Sequence, residues 1–348
     1  MDFTPTEEQL AVRGLAASLF ATATHPGLGV DGFDTDLWSK LTDAGLLGLS
    51  VAEHLGGAGL PLAVAAVVAE EAGKAAGRVP AVPVLAALPL LTDPELIARA
   101  LTGKAIVVPA FGAEGWGAGV HALRQGDDWS LSGTALAVAW AEQASHVIVA
   151  AHTEVGTEVL ALVDLSAPGV ACHTETVSSH EPHASVVLDG ATGVELATGK
   201  DALQAALARL TLLQCAYAVG VAEQSLHLAA RHVSTREQFG RPLATFQTIT
   251  YQVADCWIDV EAMRLTTQQA VWRLDQGLPA AEQTAIAAFW GAEGVQRVVS
   301  KAVHLHGGLG VDVSYPLHKW FLIGKVLELS LGGAQRSLEH LGELLAAR

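Results

Sequence analysis

Charge is scarce in this chain, and basic charge scarcest: 16 % of its 348 residues are charged, with 36 acidic residues against 20 Lys and Arg and a formal net charge of −16. That balance excludes a nucleic-acid ligand, because displacing counterions from a phosphate backbone needs clustered Lys and Arg, and no basic run occurs. Cysteine is nearly absent too. Cys172, Cys215 and Cys256 are odd in number, far apart and without Cys-x-x-Cys spacing, which argues against a disulfide framework and a zinc knuckle. Long apolar runs are missing: Leu60 to Ala69 falls well short of the roughly 18–20 residues that cross a bilayer. The N-terminus, Met1-Asp-Phe-Thr-Pro-Thr-Glu-Glu, has neither a basic n-region nor an apolar h-region, so a cytoplasmic location is expected.

What the chain has in excess is apolar surface. Apolar residues make up 51 % and charge falls below the usual figure of about 25 %, too little to cover a monomer, so a large subunit interface is expected. The length predicts two or three packed units.

Three textures follow one another. Residues 1–103 read as helical: Thr4-Pro5-Thr6-Glu7 is a helix start, with a helix to about Thr22. Residues 35–47 and 61–77 repeat the helical period on either side of the glycine turn Leu55-Gly56-Gly57-Ala-Gly59-Leu-Pro61. Residues 104–200 change to short β runs, Ala105–Pro109, Trp129–Leu131, His146–Ala151, Val159–Leu165 and Ser185–Leu188, broken by Gly126-Asp-Asp and Ala167-Pro-Gly169. Runs separated by turns rather than helices predict an antiparallel barrel or sandwich. In residues 201–348 the helical period returns; Phe246, Ile249, Val253, Cys256, Val260 and Met263 draw one stripe, and helices over 201–232, 244–276, 280–305 and 320–345 predict a four-helix bundle. The fold class read from this order is α+β.

Two segments carry the chemistry. Arg236-Glu-Gln238-Phe239-Gly240-Arg241-Pro242, running on to Phe246-Gln247, sets a guanidinium at a helix end, where it can donate a forked pair of hydrogen bonds to a pyrophosphate or simply favour the helix dipole. Phe239 can pack on an adenine or anchor its turn, and Gln247 can bond a nucleotide or cap its own helix. His304-Leu-His306-Gly307-Gly308-Leu-Gly310 offers backbone amides that no Cβ shields. With no carboxylate at ligand spacing, His304, His306 and His318 read as loop histidines and not as a metal site.

These segments, with Thr6-Glu-Glu-Gln9, Gly56-Gly-Ala-Gly59, Glu70-Glu71-Ala-Gly73 and Trp129-x-Leu-x-Gly133-Thr134 in the same order along the whole chain, resemble the acyl-CoA dehydrogenases. The resemblance implies that family's fold, FAD as cofactor, an acyl-CoA substrate and an electron-transfer flavoprotein as acceptor. It implies that Arg236, Gln238, Phe239, Gln247, His304, Gly307, Gly308 and Gln335 contact FAD, with His304 standing where glutamine is common. Coenzyme A phosphates would have to find Arg209, Arg231, Arg236 or Arg241, or cations on another chain.

The resemblance also exposes what is missing. The family's reaction removes an α-proton with a carboxylate while the β-hydrogen leaves as hydride to the flavin, and the base occupies one of two places. Here the loop position falls on Leu331 in Leu329-Ser-Leu331-Gly332-Gly333-Ala-Gln335, and the helix position falls near Leu210-Thr211. Glu328 stands three residues too early, and Glu223 roughly 20 Å along the helix from Leu210 at about 1.5 Å per residue. No catalytic residue is therefore assigned. On the flavin-ring side, Pro109-Ala-Phe111-Gly-Ala-Glu114 and Ala137-Val-Ala139-Trp140 have largely lost the family's hydroxyls. The pattern implies the non-catalytic subunit of an α2β2 acyl-CoA dehydrogenase of sterol side-chain degradation, its homologous partner carrying the base. The alternatives are an active homotetramer using Glu328 or Glu223, and a flavin-free scaffold.

Overall fold

The computed structural model describes residues 3–23, 32–111 and 119–347. Helix α1 (Glu7–Phe20) is capped by Thr6, whose hydroxyl accepts from the Gln9 amide while the Gln9 side-chain oxygen accepts from the Thr6 amide. The capping box thus lies two residues beyond the Thr4 start read in the sequence, because Thr6 and Gln9 offer the same reciprocal pattern. Helices α2 (Thr35–Asp43), α3 (Leu62–Ala75), α4 (Ala81–Ala87) and α5 (Pro94–Leu101) complete the N-terminal helices. A Cβ on Gly57, in the turn before α3, would stand 2.2 Å from the Val51 carbonyl oxygen, so the turn is closed to other residues.

Seven strands follow: β1 (Val107–Ala110), β2 (Gly119–Gln125), β3 (Asp128–Ala139), β4 (His146–His152), β5 (Glu158–Asp164), β6 (Val170–Glu175) and β7 (His183–Thr198). Strands β4, β2, β3, β7 and β5 are paired in that order and β5 returns to β4, closing a barrel, with β1 added on β4 and β6 on β7. Pairing is antiparallel except that β4 takes β1 and β2 as parallel neighbours, a departure from the wholly antiparallel sheet expected. Val147–Ala151 and Val159–Val163 are continuously buried, so these strands lack the alternation of a half-exposed sheet. The sequence did not mark β2 and β6, whose mixed and mostly exposed residues carry no apolar run.

The C-terminal helices are α6 (Lys200–Thr235), α7 (Gln247–Asp275), α8 (Ala281–His306), α9 (Leu317–Ser330) and α10 (Ala334–Ala346), with the small strands β8 (Glu237–Gln238) and β9 (Arg241–Pro242) between α6 and α7. The single helix expected over 320–345 is two. Gly332 and Gly333 break it with φ of 81° and 78°, a backbone that side chains disfavour. The expected stripe on α7 is real: Cys256, Val260 and Met263 are buried against Val219 and Leu226 of α6 and Val295 and Val298 of α8. Among the described residues α6 alone is long and apolar enough to cross a membrane, and 56 % of its most apolar stretch is buried inside the protein, as in a core helix.

Two compact units result, one of residues 1–30, 66–77 and 214–348, the other of residues 31–65 and 78–213. In the first, α3 and α6 meet at backbone distance: a Cβ on Gly73 would lie 2.1 Å from the Tyr217 carbonyl oxygen and one on Gly220 2.0 Å from that of Glu70. This close approach buries charge. Glu70 and Glu71 are 7 % and 6 % exposed. Around them, Lys74 Nζ lies 3.0 Å from Glu71, and 3.3 Å from both Glu70 and Glu223. Arg264 Nη2 lies 2.5 Å from Glu223 and 3.5 Å from Glu70. Burial alone would lower the Lys74 pKa, but Glu70, Glu71 and Glu223 outweigh it and raise it. Removing one cation strands carboxylates already taken from water, so Arg264→Met is expected to cost about 2 kcal/mol, read as a lower urea midpoint at unchanged slope.

Candidate functional site

The hairpin after α6 is built to present an aromatic ring. The Glu237–Pro242 and Gln238–Arg241 pairs leave Phe239 and Gly240 as its two-residue turn, with φ of 57° and 79°. Both central residues of such a turn need positive φ, which suits Asn-Gly and strains a phenylalanine. The ring gains nothing from burial in return, being 90 % exposed and touching Phe246 edge-on at 6.1 Å. Arg241 lies over the other aromatic, its guanidinium carbon 4.1 Å from the Phe246 centroid. Arg236 follows the last residue of α6; its amide donates to the His232 carbonyl and its carbonyl accepts from the Leu243 amide, both at 2.8 Å. Its side chain is exposed and makes no ion pair among the described residues.

The second segment lies against the first. Leu305 and Ala302 of α8 share a cluster with Val233 of α6, with Leu243 and Ala244 of the turn before α7, and with Ile249 in the first turn of α7. His232 of α6 stacks on His306 of α8, ring centroids 4.3 Å apart. His306 is thus a buried helical residue and not the loop histidine expected, as its bonds to the Ala302 carbonyl and the Tyr315 hydroxyl show. His304 is exposed on the last turn of α8, and His318 is in α9. No three His, Cys, Asp or Glu side chains among the described residues could hold a metal ion. Gly307 (φ 60°) and Gly308 are exposed, and a Cβ on either would meet nothing within 4 Å, so an anion can approach this turn closely, although the Gly307 amide itself donates to the His304 carbonyl.

Gln238 is exposed on β8. Gln247 does not cap its helix; its side-chain amide donates to the Tyr251 hydroxyl at 2.6 Å. Gln335 sits in the first turn of α10 and donates to Glu339 at 3.0 Å. The structure therefore brings Arg236, Gln238, Phe239, Gln247, His304, Gly307 and Gly308 to the joined ends of α6, α7 and α8, and leaves Gln335 on a helix of its own. Sequence reasoning missed His232, whose only signal is its place one turn before Arg236, and Tyr315.

Where the sequence was expected to place a base, the structure shows packing. Leu331 is 8 % exposed; its Cδ1 lies 3.0 Å from where a Cβ on Gly291 would stand, a point 3.2 Å from Cys215 Sγ. It fills the seam between α8 and α6. Cys215 is fully buried there, which pushes its thiol up to about 12. Leu210 and Thr211 are half-buried on α6. Glu328 is paired with Lys325 at 2.7 Å, and Glu223 is held by Arg264 and Lys74, so neither is an unpartnered carboxylate. On the ring-side stretch, Trp140 is buried and Ala137 (φ 51°) and Ala139 offer no hydroxyl; Gly112 to Glu114 lie outside the described residues.

An arginine, an exposed aromatic ring and an exposed glycine turn form a set that fits the adenosine-diphosphate half of FAD, while no hydroxyl of the described ring-side stretch serves the isoalloxazine. Residues 6–95 match the family model for the acyl-CoA dehydrogenase N-terminal domain, and residues 197–345 that for the C-terminal domain. Acyl-CoA dehydrogenase FadE27 of Mycobacterium tuberculosis is 34 % identical over 99 % of both chains. The ChsE4-ChsE5 complex from Mycobacterium tuberculosis contains a chain 34 % identical over the full length of both, with a TM-score of 0.93. A variant of the Tcur3481-Tcur3483 steroid ACAD is 36 % identical over 98 % of both chains, with a TM-score of 0.92. The chain belongs to the acyl-CoA dehydrogenase family of FAD-dependent oxidoreductases.

Proposed function

We propose that this chain is the non-catalytic subunit of a hetero-oligomeric acyl-CoA dehydrogenase, and that it grips the pyrophosphate side of FAD while a homologous subunit carries the base. The observation that carries this reading is Leu331: the loop position is occupied by an aliphatic side chain packed against Gly291 and Cys215, not by a carboxylate. Two full-length structural relatives bear paired names, ChsE4-ChsE5 and Tcur3481-Tcur3483, which supports a homologous partner. The second is a steroid ACAD, which supports a bulky steroid-type acyl-CoA as substrate. Surface for a partner exists: α7 leaves Tyr251, Trp257, Ile258 and Leu265 between 49 % and 60 % exposed.

Bound FAD supplies the acceptor for the substrate's β-hydride, and an electron-transfer flavoprotein is the expected next acceptor. The residues of this chain bind and orient. Arg236 donates paired hydrogen bonds to phosphate, the Gly307-Gly308 turn lets it approach the backbone closely, Phe239 offers its ring to the adenine, and Gln238, Gln247 and His304 line the same end. Gln335 joins them only from its own helix. A cytoplasmic location belongs to the same proposal.

Producing the chain alone and together with a homologous, base-bearing subunit tests this. The expected result is FAD occupancy and turnover in the joint preparation and no turnover by the chain alone. Full occupancy and turnover by the chain alone sinks it.

A further inference from the structure

The stack of His232 on His306 is unused by the proposed function, yet it lies where the two halves of the grip meet. His232 is one turn before Arg236 on α6, and His306 immediately precedes Gly307 at the end of α8. Whatever fixes the two rings therefore holds the end of α6 that leads to Arg236 against the end of α8 that leads to Gly307. The rings are 23° from parallel with centroids 4.3 Å apart, a face-to-face contact favoured when neither carries charge. His306 is held on both sides. Its Nδ1 lies 2.7 Å from the Ala302 carbonyl oxygen, which can only accept, so Nδ1 bears the proton. Its Nε2, 3.2 Å from Tyr315 Oη, then accepts the hydroxyl proton in the neutral ring.

We infer that His232 and His306 are positioning residues of the nucleotide grip: their stacked rings keep the Gly307-Gly308 turn in register with Arg236, and a proton on His232 loosens that register. This rests on the reading that Arg236 and the two glycines hold FAD. The groups facing His232 are His306 from α8 and Arg236 on its own helix, while Ile249 and Val253 of α7, in the same cluster, bring no charge. Partial burial, then His306, then Arg236 all lower the His232 pKa. A histidine outside the fold takes its proton near pH 6.5 and His232 only at lower pH. The contribution of the stack is therefore complete above about pH 6.5 and is lost as the pH falls through the window beneath it.

The test measures FAD release, by flavin fluorescence on dilution, from the complex with the base-bearing subunit at pH 7.5 and pH 5.5. Wild type is expected to hold FAD about fivefold more weakly at the lower pH. His232→Tyr, which keeps a stacking ring that does not titrate there, is expected to shrink that change below about twofold. His306→Leu removes the stack and the link to Tyr315, and is expected to weaken FAD about tenfold at pH 7.5. Wild-type pH dependence in His232→Tyr, which is partly exposed and under no folding constraint from the core, overturns the inference, as does unchanged release from folded His306→Leu. Arg236→Ala separates the two levels. If it leaves release unchanged, the grip reading falls and takes the inference with it; if it weakens FAD while both histidine variants behave as wild type, only the positioning role falls.

Discussion

Gly220→Val is expected to yield little soluble protein, and what folds is expected to melt about 6–12 °C below wild type. A Cβ at this position stands 2.0 Å from the Glu70 carbonyl oxygen and 2.8 Å from the Lys74 amide nitrogen. Both are backbone atoms of α3, so no side-chain rotation relieves the clash, and the two helices must separate. Overpacking of this kind costs about 3 kcal/mol, out of a total stability of about 5–15 kcal/mol. Separation would also pull Glu70 and Lys74 from Glu223 and Arg264, breaking the buried ion network at the same stroke. Gly342→Ala is the control: on α10 the new methyl meets nothing within 4 Å, and a gain of about 0.5–1 kcal/mol is expected from reduced chain entropy. Differential scanning fluorimetry of both variants checks the pair, and equal melting points would contradict the backbone contact.

Arg236→Ala is expected to weaken FAD retention by the assembled enzyme by about 10–100-fold while leaving the melting point of the chain unchanged. A charge-assisted hydrogen bond contributes about 1.5–3 kcal/mol. The fold does not use this side chain, which is exposed and without an ion pair among the described residues. Equilibrium dialysis of FAD against the complex, with a thermal melt of the same preparation, reads both halves of the expectation. A lower melting point with unchanged FAD affinity would make Arg236 a structural residue.

Much of this was legible in the sequence because it depends on spacing. The stripe from Phe246 to Met263 needs only a helical period, and the structure buries its Cys256, Val260 and Met263. That Leu331 stands where a base was expected follows from counting from the glycines. What spacing could not show is why Leu331 is there: Gly291 and Cys215, distant in sequence, make a seam its side chain fills. Gly332-Gly333 was read through because apolar periodicity resumes beyond it, whereas two positive φ values end α9. Strands β2 and β6 escaped because pairing with β3 and β7, not an apolar run, holds them. His306 read as a loop histidine and His232 went unread, since nothing local says that two helix ends converge.

The central claim is that proton abstraction belongs to the neighbour, and exchange of the substrate's α-proton with solvent deuterium reads that step apart from hydride transfer. In a complex whose partner subunit has its base carboxylate replaced by the corresponding amide, the account predicts no wash-in of deuterium at the α-carbon, since Leu331 and the Leu210-Thr211 stretch offer no base. Wash-in that persists in that complex, and disappears on Glu328→Gln or Glu223→Gln in this chain, would contradict it.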